Sequence, residues 1–82
     1  MDKALIRARL AHAEQHIRLG ERTITQQRAI IASLKLGGLD ATLAEGTLRV
    51  FEQTQSARVA DRDRILKALR ITTPMTSTLF PD

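Results

Sequence analysis

From Ile6 onward the apolar residues of this chain recur at alternating intervals of three and four. One set is Leu10, Ile17, Ile24 and Ile31; the other is Ile6, Ala13, Gly20, Gln27 and Leu34. A period of 3.5 kept over nine positions predicts a long helix with one narrow packing seam, the signature of a coiled coil. No proline interrupts it, so helix 1 is expected over about residues 2–36, roughly 50 Å at 1.5 Å per residue. Gly37-Gly38 supplies the left-handed position that closes a helix, and Lys35 complements the negative end of its dipole. Asp40 reads as an N-cap and Thr42-x-x-Glu45 as a capping box. A turn over residues 37–41 should therefore lead into helix 2 at about residue 41. Its stripe is Ala44, Leu48, Phe51, Gln55, then Arg58 or Val59, Arg62, Ile65 or Leu66, and Leu69. Thr72-Thr73-Pro74 predicts its end near Arg70, because the residue before a proline avoids the helical region. Residues 71–82 are left as a non-helical tail, with Met75, Leu79 and Phe80 as its apolar residues.

Two long helices joined by a short turn predict an all-α, antiparallel coiled-coil hairpin. With Leu34 set opposite Ala44, Gln27 faces Phe51, Ile24 faces Gln55 and Ile17 faces Arg62. One seam does not use all the apolar residues, since Leu5, Leu19, Ile30, Leu36, Leu43 and Val50 fall beside it. A hairpin this small rarely gains more than about 3–5 kcal/mol from its own core. Two hairpins meeting around a twofold axis would cover the surplus in a four-helix bundle, so a homodimer is expected. Leu5, Leu19, Ile30, Leu36 and Val50 are the residues expected at the interface with a second copy or another protein.

Composition narrows the chemistry. The chain has 82 residues, no Cys, no Trp, no Tyr and two Phe. Disulfides, thiolate metal sites, cysteine nucleophiles and an aromatic platform for single-stranded nucleic acid are thereby excluded. No Ser-His-Asp spacing or phosphate-binding loop stands out, so no enzyme and no cofactor is expected. Arg7 and Arg9 break any apolar stretch of a signal peptide, and no run approaches the ~18 apolar residues of a membrane span. No membrane association and a cytoplasmic location are the corresponding expectations.

The polar residues at seam positions have specific readings. Gln27 and Gln55 fall near one level, where polar seam residues trade stability for a single alignment. Gly20 costs about 1 kcal/mol relative to Ala in mid-helix, and close approach of the helices is the compensating role. Arg58 and Arg62 are expected to lace the hairpin to Glu21 and Glu14, leaving Asp61-Arg62-Asp63-Arg64 as part of an ion-pair network. His12 and His16 stand one turn apart, but with no third ligand in sight they read as surface residues and no metal is expected. Lys and Arg outnumber Asp and Glu by 13 to 9. Arg7, Arg18, Arg22 and Arg28 could contact phosphates, although they scatter around helix 1, and nucleic acid is the less favoured partner.

Laid out in order, the residues resemble a group of short helical proteins of unknown function from rhizobia and related alphaproteobacteria. The resemblance rests on Ala13-Glu14-x-His16-Ile17-x-x-Gly20-Glu21-x-x-Ile24-x-x-Gln27-Arg28-x-Ile30-Ile31-x-x-Leu34. It continues through Gly38-x-Asp40, Phe51-Glu52-x-x-Gln55 and Asp61-Arg62-Asp63-Arg64. At position 58 the resemblance leads one to expect histidine, and this chain has Arg58. It implies two helices and a tight turn, and no activity. The expected function is thus a non-enzymatic interaction module (an adaptor, regulator or inhibitor) acting as a homodimer on a protein partner. The alternative is a nucleic-acid-associated protein, or an inhibitor of a nucleic-acid-processing machine, that uses the basic face of helix 1.

Overall fold

The structure is a computed structural model describing residues 2–72. It contains two helices, α1 over Lys3–Leu36 and α2 over Thr42–Thr72, packed against each other as a hairpin. The molecule is a slab of 60 × 25 × 14 Å. Asp2 caps α1, its carboxylate accepting the Ala4 N–H at 2.9 Å. Of the expected tail, Ile71 and Thr72 belong to α2, and residues 73–82 lie outside the described residues.

The turn is a Schellman motif. Leu39 N–H reaches back to Leu34 O at 2.8 Å and Gly38 N–H to Lys35 O at 3.1 Å, with Gly38 at φ +71°. That dihedral is where glycine alone escapes a Cβ penalty. At the start of α2 the expected capping box gives way to another arrangement. Asp40 accepts both the Thr42 N–H at 2.9 Å and the Thr42 hydroxyl at 2.6 Å, while Glu45 N–H donates to Ala41 O and the Glu45 side chain pairs with Lys35 at 3.0 Å. The bonds from Thr42 hold the Asp40 carboxyl below its ordinary pKa.

The α1 seam follows its sequence pattern. Ile6, Ile17, Ile24 and Ile31 are 5–8% exposed, Gly20 is buried, and Leu10, Ala13, Gln27 and Leu34 are half-buried. Each isoleucine removed from water contributes roughly 1.5–3 kcal/mol. The pairing between helices, however, differs from the expected register by about one helical turn. Gln55 lies against Gly20 and Ile17, and Gln27 reaches Ala44, not Phe51. The cause is Ala41, which is 6% exposed: the turn folds it back against α1, so the α2 seam begins there and not at Ala44.

Candidate interaction surface

Two glutamines tie the helices together through backbone atoms. Gln27 Nε2 donates to Ala44 O at 2.9 Å, and Gln55 Nε2 donates to Ile17 O at 2.8 Å. Each carbonyl has a second lone pair beyond its helical bond, so the ladders stay intact. Because only the amide N–H₂ can face the Ile17 carbonyl, Gln55 Oε1 is turned toward Gly20, where it is buried with no hydrogen-bond partner among the described residues. A methyl at residue 20 would overlap that oxygen and come within 3.0 Å of Arg58 Nη1. Gly20 is thus a notch that receives the Gln55 head, at a cost of about 1–3 kcal/mol for the orphaned oxygen.

The seam divides the slab into two broad flanks of opposite character. One carries the charges: Arg7, Glu14, Glu21, Arg28 and Lys35 on α1, and Glu45 and Glu52 on α2. Among the described residues, both ion pairs that join the helices are here, Arg28–Glu52 and Lys35–Glu45, each at 3.0 Å. Both are well exposed and worth about 0–1 kcal/mol apiece.

The other flank is nearly free of charge over its central stretch, with Arg9 and Asp61 joining it toward the open end of the hairpin. From His12 to Ser33, α1 presents His12, His16, Leu19, Thr23, Gln26, Ile30 and Ser33; from Leu43 to Ala57, α2 presents Leu43, Thr47, Val50, Thr54 and Ala57. Leu19, Ile30 and Val50 are 45–57% exposed here, and Leu5 continues the row toward the open end of the hairpin. The Thr23 and Thr47 hydroxyls donate to the carbonyls of Leu19 and Leu43, so these residues spend their polarity on their own helices. The flank is therefore less polar than its residue types imply. At its centre a groove of about 260 Å³ lies over Gly20, walled by Thr23, Val50, Phe51, Thr54 and Arg58.

Four of the five expected interface residues, Leu5, Leu19, Ile30 and Val50, share this flank. Leu36 does not: at 90% exposed it sits on the outer face of α1 near the turn. The expected arginine lacing is also absent. Arg62 pairs with its neighbour Asp63 at 3.1 Å and not with Glu14. Arg58 reaches over Gly20 to the uncharged flank, away from Glu21, and has no acidic partner among the described residues. The register shift explains both, because it moves each α2 side chain one turn along α1. Sequence reasoning placed Leu43 beside the seam but missed the grouping itself, and with it Thr23 and Thr54. Their signal was available, since both fall beside the seam on the same side at heptad spacing.

Arg7 is exposed on the charged flank, Arg28 is held on that flank by Glu52, and Arg18 and Arg22 are exposed on the outer arc of α1. Glu21 sits between Arg18 and Arg22 along that surface. The His12 and His16 rings lie 4.2 Å apart, tilted by 54°, facing Asp61 across a second groove. Among the described residues no group of three or more His, Asp or Glu side chains could hold a metal ion. No helix among them is long and apolar enough to cross a membrane. Compared with known protein families, characterised proteins and solved structures, the chain matches none.

Proposed function

We propose that this chain is a non-enzymatic protein–protein interaction module that works as a homodimer, two hairpins meeting through their uncharged flanks in a four-helix bundle. The observation that supports it is the segregation just described, with Leu19, Ile30, Leu43 and Val50 exposed on a flank that has almost no charge. An uncharged contact face lets two chains of net charge +4 meet without bringing like charges into contact. The size is also suitable. From His12 to Ser33 the flank is about 30 Å long, and over a 25 Å width it offers close to the ~800 Å² that each partner gives to a standard interface. The charged flanks then face outward on both sides, available to a further protein partner.

Light scattering on a sizing column tests this, with refractive-index detection because the chain has no Trp or Tyr. A dimer whose population is the same at low and moderate salt is expected, and Leu19→Glu with Val50→Glu should convert it to a helical monomer. A wild-type monomer at every concentration would overturn the proposal.

A second reading has one observation in its favour: Arg7, Arg18, Arg22 and Arg28 all lie off the uncharged flank, so a dimer would leave them accessible to nucleic acid or to a nucleic-acid-processing enzyme. The interleaved Glu14 and Glu21 and the Arg28–Glu52 pair weigh against it. Phosphate binding falls steeply between low and moderate salt. Unchanged DNA and RNA affinity in Arg18→Glu plus Arg22→Glu would end this reading.

A further inference from the structure

The half-buried Arg58 has no acidic partner among the described residues, and it lines the groove at the centre of the uncharged flank. A guanidinium partly withdrawn from water is expected to find a carboxylate, because an unpaired charge in such a place is costly. The acids within the two helices are Glu14, Glu21, Glu45, Glu52, Asp61 and Asp63. Of these, Asp61 alone lies on the uncharged flank, three residues and one helical turn from Arg58. Its own contact, to Arg64, is a long 3.4 Å on an exposed surface, which leaves most of its carboxylate available.

Resting on the homodimer proposed above, we infer that Arg58 pairs with Asp61 of the partner subunit, and Asp61 with the partner subunit's Arg58, on a twofold axis that runs along the hairpins and places both turns at one end of the bundle. A twofold interface is reciprocal: if residue i meets j, then j meets i. For two residues one turn apart on the same helix to meet each other's copies, equal levels of the two hairpins must lie together. With the interface centred on the uncharged stretch, this puts turn beside turn, with α1 of one subunit stacked on α2 of the other. Hairpins reversed end for end would instead carry each Asp61 to the far side of the uncharged stretch, out of reach of Arg58.

The absence of cysteine provides a clean test of orientation. A spin label at Leu36→Cys, exposed and off the flank, reports the distance between turns by pulsed electron paramagnetic resonance. Turns at one end give a distance on the order of 20–30 Å, two to three helix diameters. Reversed hairpins give about 40 Å or more, approaching the length of α1. Charge exchange tests the pair. Arg58→Glu and Asp61→Arg should each weaken the dimer about tenfold or more, and Arg58→Glu/Asp61→Arg should recover most of the loss. Asp61→Asn, a conservative change on an exposed residue, should weaken it several-fold with helicity unchanged. A dimer with distant labels, or with single effects that add and show no rescue, overturns this inference and leaves the homodimer standing. A monomeric wild type overturns the homodimer itself.

Discussion

The two helices build one seam from different materials. On α1 the seam is narrow and short-armed: four isoleucines and a glycine are buried, and each covers little beyond itself. On α2 none of the seam residues from Ala44 to Leu69 is fully buried, because Leu48, Phe51, Gln55, Arg58 and Arg62 are longer and lie partly over the surface they cover. One helix is covered and the other covers. The difference teaches where stability and specificity reside, the first in α1 methyl groups and the second in α2 polar heads.

Truncating the covered side should cost most. Ile24→Ala is expected to destabilise the hairpin by about 2–4 kcal/mol, read by thermal unfolding followed with far-ultraviolet circular dichroism. The half-buried Leu48→Ala should cost about half as much. Equal losses at the two sites would break the comparison. Next in size is Gly20→Val, whose branched side chain must expel Gln55 and crowd Arg58, for a loss of about 1–3 kcal/mol. Gly20→Ala is more discriminating. It should forfeit the ~1 kcal/mol gain that Ala normally brings to a helix, and show that gain in full when combined with Gln55→Ala. Replacing the covering head itself should have the opposite sign: Gln55→Leu removes an unsatisfied buried oxygen and should stabilise by about 1 kcal/mol. Its amide resonances should broaden as alternative registers become populated.

The smallest effects belong to the exposed groups. Arg28→Gln and Lys35→Gln should each cost about 0–1 kcal/mol, less at high salt. Asp40 sharpens the comparison at the turn, where α1 ends and α2 begins. Its carboxyl is held below the ordinary value of 3.8 by the bonds it accepts from Thr42, so the cap is fully effective above that pH. Its contribution is lost as pH falls from there through the folded-state pKa. Asp40→Asn should lower the melting temperature slightly and remove that part of the acid dependence.

The α1 seam was legible because its spacing is strict and its residues are apolar. The turn was legible because Gly37-Gly38 leaves few alternatives. What the sequence did not show is how the chain re-enters the seam after the turn. Ala41 is small and unremarkable in composition, yet burying it moves every later pair by a turn, and the ion pairs drawn for Arg58 and Arg62 move with it. The uncharged flank escaped notice for a related reason. Apolar residues beside a seam read as surplus until the register decides which helix faces, and which charges, adjoin them.

The Schellman turn also bears on how the hairpin comes together in time. The bond from Leu39 to Leu34 and the pair between Lys35 and Glu45 join residues close along the chain, and each contact farther from the turn closes a longer loop. Loop-closure entropy therefore favours nucleation at the turn, with the helices zipping outward from it. The Gln55 head meets the Gly20 notch only partway along, so a slipped hairpin can travel some distance before it is checked. Gly38→Ala, which strains the left-handed residue, should accordingly slow folding more than it speeds unfolding.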